Sequence, residues 1–229
     1  TNIAKEWHGH ALKIKQDANK IILGQEKAIN LVIISLFARG HVLLEGGVGV
    51  GKTTLLQVIT KLIGGSYERV EGTVDLMPND IIYHASISDE GRPSISKGPL
   101  LKKGEDLSVF FFNEINRARP QVHSLLLRVM AEKSVSAFNK VIYLPNMVVF
   151  ADRNQVEKNE TFELPAAARD RFMMEVSIQS PTDKVLRDSI IFDTKFQDTS
   201  KLIDDIPSPS FDCKELNTVS SAIQENIQT

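Results

Sequence analysis

The strongest constraint on the fold is an eight-residue run in the first quarter of the chain, Gly46-Gly47-Val48-Gly49-Val50-Gly51-Lys52-Thr53. It matches G-x-x-x-x-G-K-T, the phosphate-binding loop of nucleoside triphosphatases. Glycines suit this loop because they let consecutive backbone N–H groups point into one concave nest around phosphate oxygens. Residues 41–44 are typical of a short buried strand, and residues 54–59 are typical of the start of a helix. We therefore predict a strand, a phosphate-binding loop and a helix in that order.

Each position of this loop has a predicted role at the triphosphate. The ammonium group of Lys52 is expected to contact the β- and γ-phosphates, and the Thr53 hydroxyl is expected to ligate Mg²⁺. The following helix directs its positive N-terminus at the same anion. The residues predicted to contact the nucleotide are Gly47, Val48, Gly49, Val50, Gly51, Lys52, Thr53 and Thr54.

The remaining pattern predicts an α/β protein of 229 residues, with a mostly parallel sheet covered by helices on both faces. Helices are expected at 2–18 and 25–39, the second stopped by Gly40, and again at 121–133, 181–192 and 211–227. Further strands are expected at 67–71, 107–112, 147–151 and 173–178. Residues 72–106 form a long polar connection, which should be functional or locally folded.

Composition narrows the possible partners. The net charge of −2 gives no bulk electrostatic reason to expect nucleic acid or an anionic membrane. The longest apolar stretch, Leu31 to Ala38, is interrupted by Ser35 and is too short to span a bilayer, so membrane insertion is not expected. Cys213 is the single cysteine, which excludes an internal disulfide and fits a reducing compartment. A cytoplasmic location is therefore expected.

A second chemical signal is Ser108-Val109-Phe110-Phe111-Phe112-Asn113-Glu114, an apolar strand with a polar end. This is the Walker B pattern, in which an Asp usually holds Mg²⁺ and a following Glu polarises the attacking water. Asn113 stands at the Asp position and carries no charge, so weaker Mg²⁺ retention is expected if it contacts the metal. Glu114 is the predicted catalytic carboxylate. The alternatives are a solvated carboxylate for Glu114 and no metal contact for Asn113.

These segments together resemble the MoxR family of AAA+ ATPases. The resemblance also covers Ile22-Leu23-Gly24-Gln25-Glu26, 75–81, Asn113 to Ala118, Leu164-Pro165 and Asp170-Arg171-Phe172, in family order over about residues 20 to 180. It implies a three-layer AAA+ core with a parallel five-stranded sheet in the order 5-1-4-3-2. It also implies a ring, usually a hexamer, that binds and hydrolyses ATP with Mg²⁺. A chaperone-like role in maturing partner proteins is implied as well, often with von Willebrand A-domain partners.

The resemblance assigns further site residues. Asn154 occupies the sensor 1 position, although the family usually reads A-T-Q-N-P and this chain has 151–155 as Ala-Asp-Arg-Asn-Gln. Arg171 occupies the arginine-finger position, which would reach the nucleotide of the neighbouring subunit. Leu23 and Gly24 resemble the segment that packs on adenine. The alternatives are a strand-end turn for Asn154, an intramolecular ion pair with Asp170 or another acid for Arg171, and core packing for Leu23 and Gly24.

Three domains follow from this reading: an N-terminal helix at 1–20, an AAA+ core at 21–205, and the start of a helical lid at 206–229. The lid is expected to be largely absent, which predicts weak ATPase activity and weak assembly for these 229 residues. Hairpins at 82–96 and at 134–144, the latter turning at Asn139-Lys140, are expected to face the client protein.

The sequence therefore predicts a chaperone-like remodelling or maturation ATPase. Two alternatives remain open: a nucleotide-gated scaffold that hydrolyses little, suggested by Asn113, and a DNA-acting AAA+ motor, which the overall charge disfavours.

Overall fold

A computed structural model describes residues 2–87, 91–153, 162–193, 196, 198–209 and 211–226. The helices are α1 (Asn2–Ile21), α2 (Glu26–Ala38), α3 (Lys52–Leu62), α4 (Pro78–Ile82), α5 (Pro120–Glu132), α6 (Ala166–Arg169), α7 (Lys184–Phe192), α8 (Thr199–Asp204) and α9 (Leu216–Asn226). The strands are β1 (Val42–Glu45), β2 (Ser66–Glu71), β3 (Tyr83–Ile87), β4 (Pro93–Lys97), β5 (Leu107–Asn113), β6 (Ser134–Ala137), β7 (Lys140–Tyr143), β8 (Val148–Arg153) and β9 (Met174–Ser177).

Five strands form one parallel sheet in the order β2-β5-β8-β1-β9. Counted along the chain as core strands one to five, this is the predicted order 5-1-4-3-2, which is confirmed. The central strand β8 pairs with β1 through Leu44 and Asp152, and with β5 through Phe112 and Ala151. The carboxyl ends of β5, β8 and β1 therefore lie side by side at one edge of the sheet.

The sheet has a separate apolar core on each face, which makes the domain a three-layer α/β structure. Alternation along β5 illustrates this, because Val109 and Phe111 belong to one core while Phe110 and Phe112 belong to the other. The first core is covered by α1, α2, α3 and α9, and the second by α5 with the segments around α4. All four of these strand residues are almost completely buried, as expected for parallel strands covered on both faces.

Helix α1 packs on the first core through Trp7, whose ring meets the rings of Phe37 and Phe211 edge-on at 6.0 and 4.9 Å. The end of α2 differs from the prediction. Arg39, with φ 57°, is the left-handed residue that ends the helix. The role of Gly40 is to leave room for the Met173 side chain, which a Cβ at this position would overlap. None of the helices within the described ranges is long and apolar enough to cross a bilayer.

The connection 72–106 is locally folded, as expected, into α4 and the antiparallel hairpin β3–β4. The predicted turn at Asn139-Lys140 is wrong by one residue. Ala137 pairs with Lys140, so Phe138 and Asn139 form the two-residue turn with φ 53° and 55°. Both central residues of such a turn need positive φ, which Asn tolerates better than Phe. The polar segment before α9 also contains the unpredicted helix α8.

Candidate nucleotide-binding site

The glycine-rich loop joins β1 directly to α3. Gly49 and Gly51 adopt φ 77° and 88°, and Gly51 is the residue that caps α3. A Cβ at either position would meet no atom within 4 Å, so the loop opens onto free space. Gly46 is different, because a Cβ there would overlap the carbonyl of Ile178. The loop is thus anchored at its start and open along its tip, where Gly47, Val48 and Gly49 are exposed.

Lys52 is the buried basic residue beneath this loop. Its Nζ donates to the carbonyl oxygens of Gly46 at 2.7 Å and Gly47 at 3.3 Å. It also forms an ion pair with Asp152, with 2.5 Å between Nζ and Oδ2. The ammonium is therefore held at the junction of loop and sheet, with its charge balanced by one buried carboxylate.

Asp152 connects the loop to the end of β5. Its Oδ1 accepts a short hydrogen bond from the backbone N–H of Glu114, while Oδ2 faces Lys52. Only 1% of Asp152 is exposed. Burial raises the pKa of this carboxyl group, and the contacts with Lys52 and the Glu114 N–H oppose that rise. The charge of Asp152 consequently depends on the contact with Lys52.

Glu114 lies just beyond β5 in a left-handed conformation, with φ 52° and ψ 49°. Its Oε2 accepts from Arg117 Nη1 at 2.9 Å, and its side chain is mostly buried. The backbone of Gly72 passes so close that a Cβ there would overlap the Glu114 carbonyl. Three neighbours, Gly72, Arg117 and Asp152, therefore determine where this carboxylate lies.

Asn113 has a different neighbour. Its Nδ2 donates to Glu71 Oε1 at 2.6 Å across the β2–β5 pair, in which Glu71 and Asn113 are directly opposite. Glu71 also pairs with Arg69. The amide of Asn113 is thus engaged by the edge strand β2, whereas the carboxylate nearest to Lys52 belongs to β8.

The other predicted contacts lie in two places. Thr53 and Thr54 are partly exposed in the first turn of α3, beside the open loop. Leu23 is half-buried, and Gly24, at φ 70°, lies so close to Pro181 that a Cβ would approach its ring to 2.9 Å. The side chain of Gln25 donates to the Gln179 carbonyl. The segment predicted to face adenine therefore packs against the chain between β9 and α7.

Arg171 lies away from the loop of its own chain. It precedes β9, whose first residue, Met174, pairs with Val42, the first residue of β1. The loop begins after Glu45, at the opposite end of β1. Along the strand direction, Arg171 and the loop are therefore separated by about the length of β1, roughly 10 Å at 3.3 Å per residue. Arg171 is exposed, and within the described part of the chain its guanidinium has no ion-pair partner, Asp170 included. The predicted sensor residue, Asn154, lies outside the described residues.

Sequence reasoning did not single out Asp152 or Arg153. Arg153 pairs with Glu45 on β1 and with Glu175 on β9, the latter at 3.3 Å. A signal was present, because charged residues at the carboxyl end of a buried parallel strand are expected to face a site. The ion-pair partners of Asp152 and Arg153 could not be predicted from the sequence, because these pairs depend on which strands are neighbours in the sheet.

The residues present fit a nucleoside triphosphate with Mg²⁺. Gly49 and Gly51 leave the loop open, and the Lys52 ammonium beneath it can turn to phosphate. Among the described residues, no group of three or more His, Cys, Asp or Glu forms a ready-made metal site. Mg²⁺ usually needs none, because it binds through substrate phosphates with one or two protein oxygens. Thr53 and the buried carboxylate of Asp152 can provide such oxygens.

Comparisons with known proteins agree with this geometry. The family model described as ATPase family associated with various cellular activities (AAA) matches residues 41–174, more than half of the chain. A protein named MoxR from Methylorubrum extorquens is 55% identical over 222 residues, and one from Paracoccus denitrificans is 51% identical over 219. These alignments cover 97% and 96% of this chain, but 65% of each relative.

More distant matches have the same core. A Mycobacterium tuberculosis protein named chaperone MoxR1 is 34% identical over 177 residues, covering 76% of this chain and 45% of that protein. A crystal structure of a candidate ATPase from Cytophaga hutchinsonii superposes with a TM-score of 0.80 at 24% identity, covering 97% of this chain and 65% of that one, which shows the fold. The chain therefore belongs to the ATPase family associated with various cellular activities (AAA) and, within it, to the MoxR group.

Proposed function

We propose that this chain binds and hydrolyses ATP, and that hydrolysis drives a chaperone-like remodelling or maturation of partner proteins. The chain spans 65% of the length of its two MoxR relatives, so the proposal concerns the activity of a larger protein of this kind. The observation that carries it is the Lys52 ammonium, held by Asp152 and by loop carbonyls beneath an open glycine loop. Such an arrangement can exchange one negative partner for another when phosphate arrives.

The chemistry follows from the positions of the side chains. Loop N–H groups and the N-terminus of α3 hold the phosphates, and Lys52 neutralises their charge. Glu114 polarises the attacking water. Its backbone is held by the Gly72 and Asp152 contacts, and its carboxylate is held by Arg117. Mg²⁺, held by Thr53, would neutralise charge on the phosphate oxygens. Asn154 as the γ-phosphate sensor stays a prediction.

Arg171 supports assembly into a ring, which we propose to be a hexamer. The side chain is exposed and unpaired among the described residues, and it lies at the opposite end of β1 from its own loop. A cation in that position fits the nucleotide of a neighbouring subunit better than its own. There it would stabilise charge in the transition state, as arginine fingers do.

The two hairpins support a client-binding face. Exposed apolar side chains occur on both, with Ile87 78% and Ile95 60% exposed on the first hairpin. Phe138 of the second hairpin contacts Tyr83, with ring centroids 5.5 Å apart, beside a cavity of about 560 Å³. Apolar surface of this kind marks protein interaction sites. We propose that it contacts a client in the cytoplasm, where ATP is available, with a von Willebrand A-domain protein as one partner.

Two variants test the enzymatic part. Lys52→Ala should abolish ATP binding measured by calorimetry, whereas Lys61→Ala, an exposed lysine on the same helix, should not change it. Glu114→Gln should bind ATP normally but hydrolyse it at least about 100-fold more slowly, because only the general base is removed. Full ATP binding by Lys52→Ala, or unchanged turnover by Glu114→Gln, would contradict the proposal.

One observation favours a second candidate, a nucleotide-gated scaffold with little hydrolysis. The residue at the usual acidic position, Asn113, is uncharged and bound to Glu71. Comparing ATP affinity with ATP turnover separates the two functions. Micromolar ATP binding without measurable turnover, in protein that assembles, would favour the scaffold.

A further inference from the structure

The neighbouring strands β5 and β8 differ in the charge that they carry at their carboxyl ends. β5 ends at the neutral Asn113, whereas β8 carries the acidic Asp152 one residue before its end. Asp152 is 1% exposed and is in contact with both halves of the site. Its Oδ2 is 2.5 Å from Lys52 Nζ, and its Oδ1 accepts from the Glu114 N–H. A single carboxylate therefore links the loop lysine to the backbone of the proposed general base.

A buried carboxylate is stable only while a cation or several hydrogen bonds satisfy it. Lys52 is that cation here, and on the proposed function the same ammonium must turn to phosphate when ATP binds. The buried charge of Asp152 then needs a second cation. Mg²⁺ arrives with the triphosphate and prefers carboxylate oxygens as protein ligands.

We propose that Asp152 supplies the acidic group that Asn113 lacks: it holds Lys52 before nucleotide binds, and afterwards it is the carboxylate partner of Mg²⁺, directly or through water. This inference rests on the proposed function and deepens it. Asp152 is a positioning residue for Lys52 and Glu114, and it determines how strongly nucleotide binding depends on Mg²⁺.

The neighbourhood of Asn113 explains why the charge is on the other strand. Asn113 Nδ2 donates to Glu71 Oε1 at 2.6 Å, so an aspartate there would place two carboxylates face to face across the β2–β5 pair. Two carboxylates this close repel each other, which disfavours the ionised form of both. The Asn113 amide therefore forms a hydrogen bond with Glu71, and the acidic residue of the site is Asp152 on β8.

The decisive variant is Asp152→Asn, which keeps the side-chain volume and an oxygen to accept from the Glu114 N–H. Calorimetry should measure binding of a non-hydrolysable ATP analogue, with Mg²⁺ and with the metal chelated. In the unmodified protein Mg²⁺ should tighten binding, and in the variant that enhancement should fall roughly 10–100-fold. Affinity without Mg²⁺ should stay the same or rise, since Lys52 has lost its competing partner. A merely structural defect would instead weaken both affinities together.

Two further variants complete the test. Asp106→Asn removes an exposed carboxylate paired with Lys214, before β5 rather than after it, and should leave both affinities unchanged. Asn113→Asp should leave the Mg²⁺ enhancement nearly unchanged and lower the thermal unfolding midpoint through repulsion from Glu71. If Asp152→Asn does not fold, Asn113→Asp can still overturn the inference.

The inference is overturned if Asp152→Asn keeps the full Mg²⁺ enhancement, or if Asn113→Asp increases it about tenfold, as adding a missing metal contact would. These results leave the proposed function intact as long as the unmodified protein binds the analogue. Absence of any nucleotide binding by the unmodified protein would overturn both proposals.

Discussion

The buried imidazole of His41 leads to a quantitative prediction about stability and pH. The ring lies just before β1, with Nε2 3.2 Å from the Met130 carbonyl and Nδ1 accepting from the Val149 N–H at 2.9 Å. A neutral ring with its proton on Nε2 satisfies both contacts, whereas a second proton on Nδ1 would face the Val149 N–H. Burial lowers the pKa of His41 to about 4, and the nearby charges of Lys133 and Arg39 act in the same direction.

Proton linkage gives the sign and size of the effect of His41 on the free energy of unfolding. The ordinary pKa is 6.5, so the unfolded chain binds a proton at His41 between pH 6.5 and about 4 while the folded protein does not. The free energy of unfolding therefore falls as the pH drops through 6.5, and the effect of this group levels off below pH 4. At about 1.4 kcal/mol per pKa unit, the full loss is about 3 kcal/mol, of which about 2 kcal/mol is reached at pH 5.

Urea unfolding at pH 7.5 and pH 5, for the unmodified protein and for His41→Asn, measures this loss. Asparagine can still accept from the Val149 N–H but does not titrate, so the variant should lose about 2 kcal/mol less than the unmodified protein between the two pH values. His123, whose pKa burial also lowers, contributes equally to both proteins and cancels. Parallel losses of stability in the two proteins would refute the reasoning.

Two more predictions concern the site. Gly72→Ala should lose about 1–3 kcal/mol of stability and slow ATP turnover, because its Cβ would displace the Glu114 carbonyl. Thermal unfolding measures this loss, with Gly9→Ala as the control. Gly9 lies on α1 with open space around it, so its replacement should be neutral or slightly stabilising. Equal stability of the two variants would contradict the packing argument. Arg171→Ala should retain ATP affinity but lose roughly 10³-fold in turnover, unlike Arg169→Ala. Mixing Arg171→Ala with Glu114→Gln subunits should restore part of the turnover, and no restoration would argue against a site shared between subunits.

Local patterns in the sequence were sufficient for much of the fold. The glycine spacing from Gly46 to Thr53, between an apolar run and a helical one, predicts the strand, loop and helix without any long-range information. The five core strands were predicted within about two residues at each end. For β1, β5 and β8 the reason is that strands buried on both faces read as continuous apolar runs. The strand order was predicted through the family resemblance, since apolar runs do not say which strands are neighbours.

The sequence by itself determined that Lys52 lies beneath a glycine loop and that Glu114 follows a buried strand, because both facts depend on residues close together in the chain. Only the tertiary structure decided which group faces which. Because β8 lies between β5 and β1, Asp152 contacts both Lys52 and the Glu114 N–H. Because β2 lies beside β5, Asn113 forms a hydrogen bond with Glu71. Contacts across a parallel sheet depend on strand order and register, which join residues about 40 to 100 positions apart that no local pattern relates.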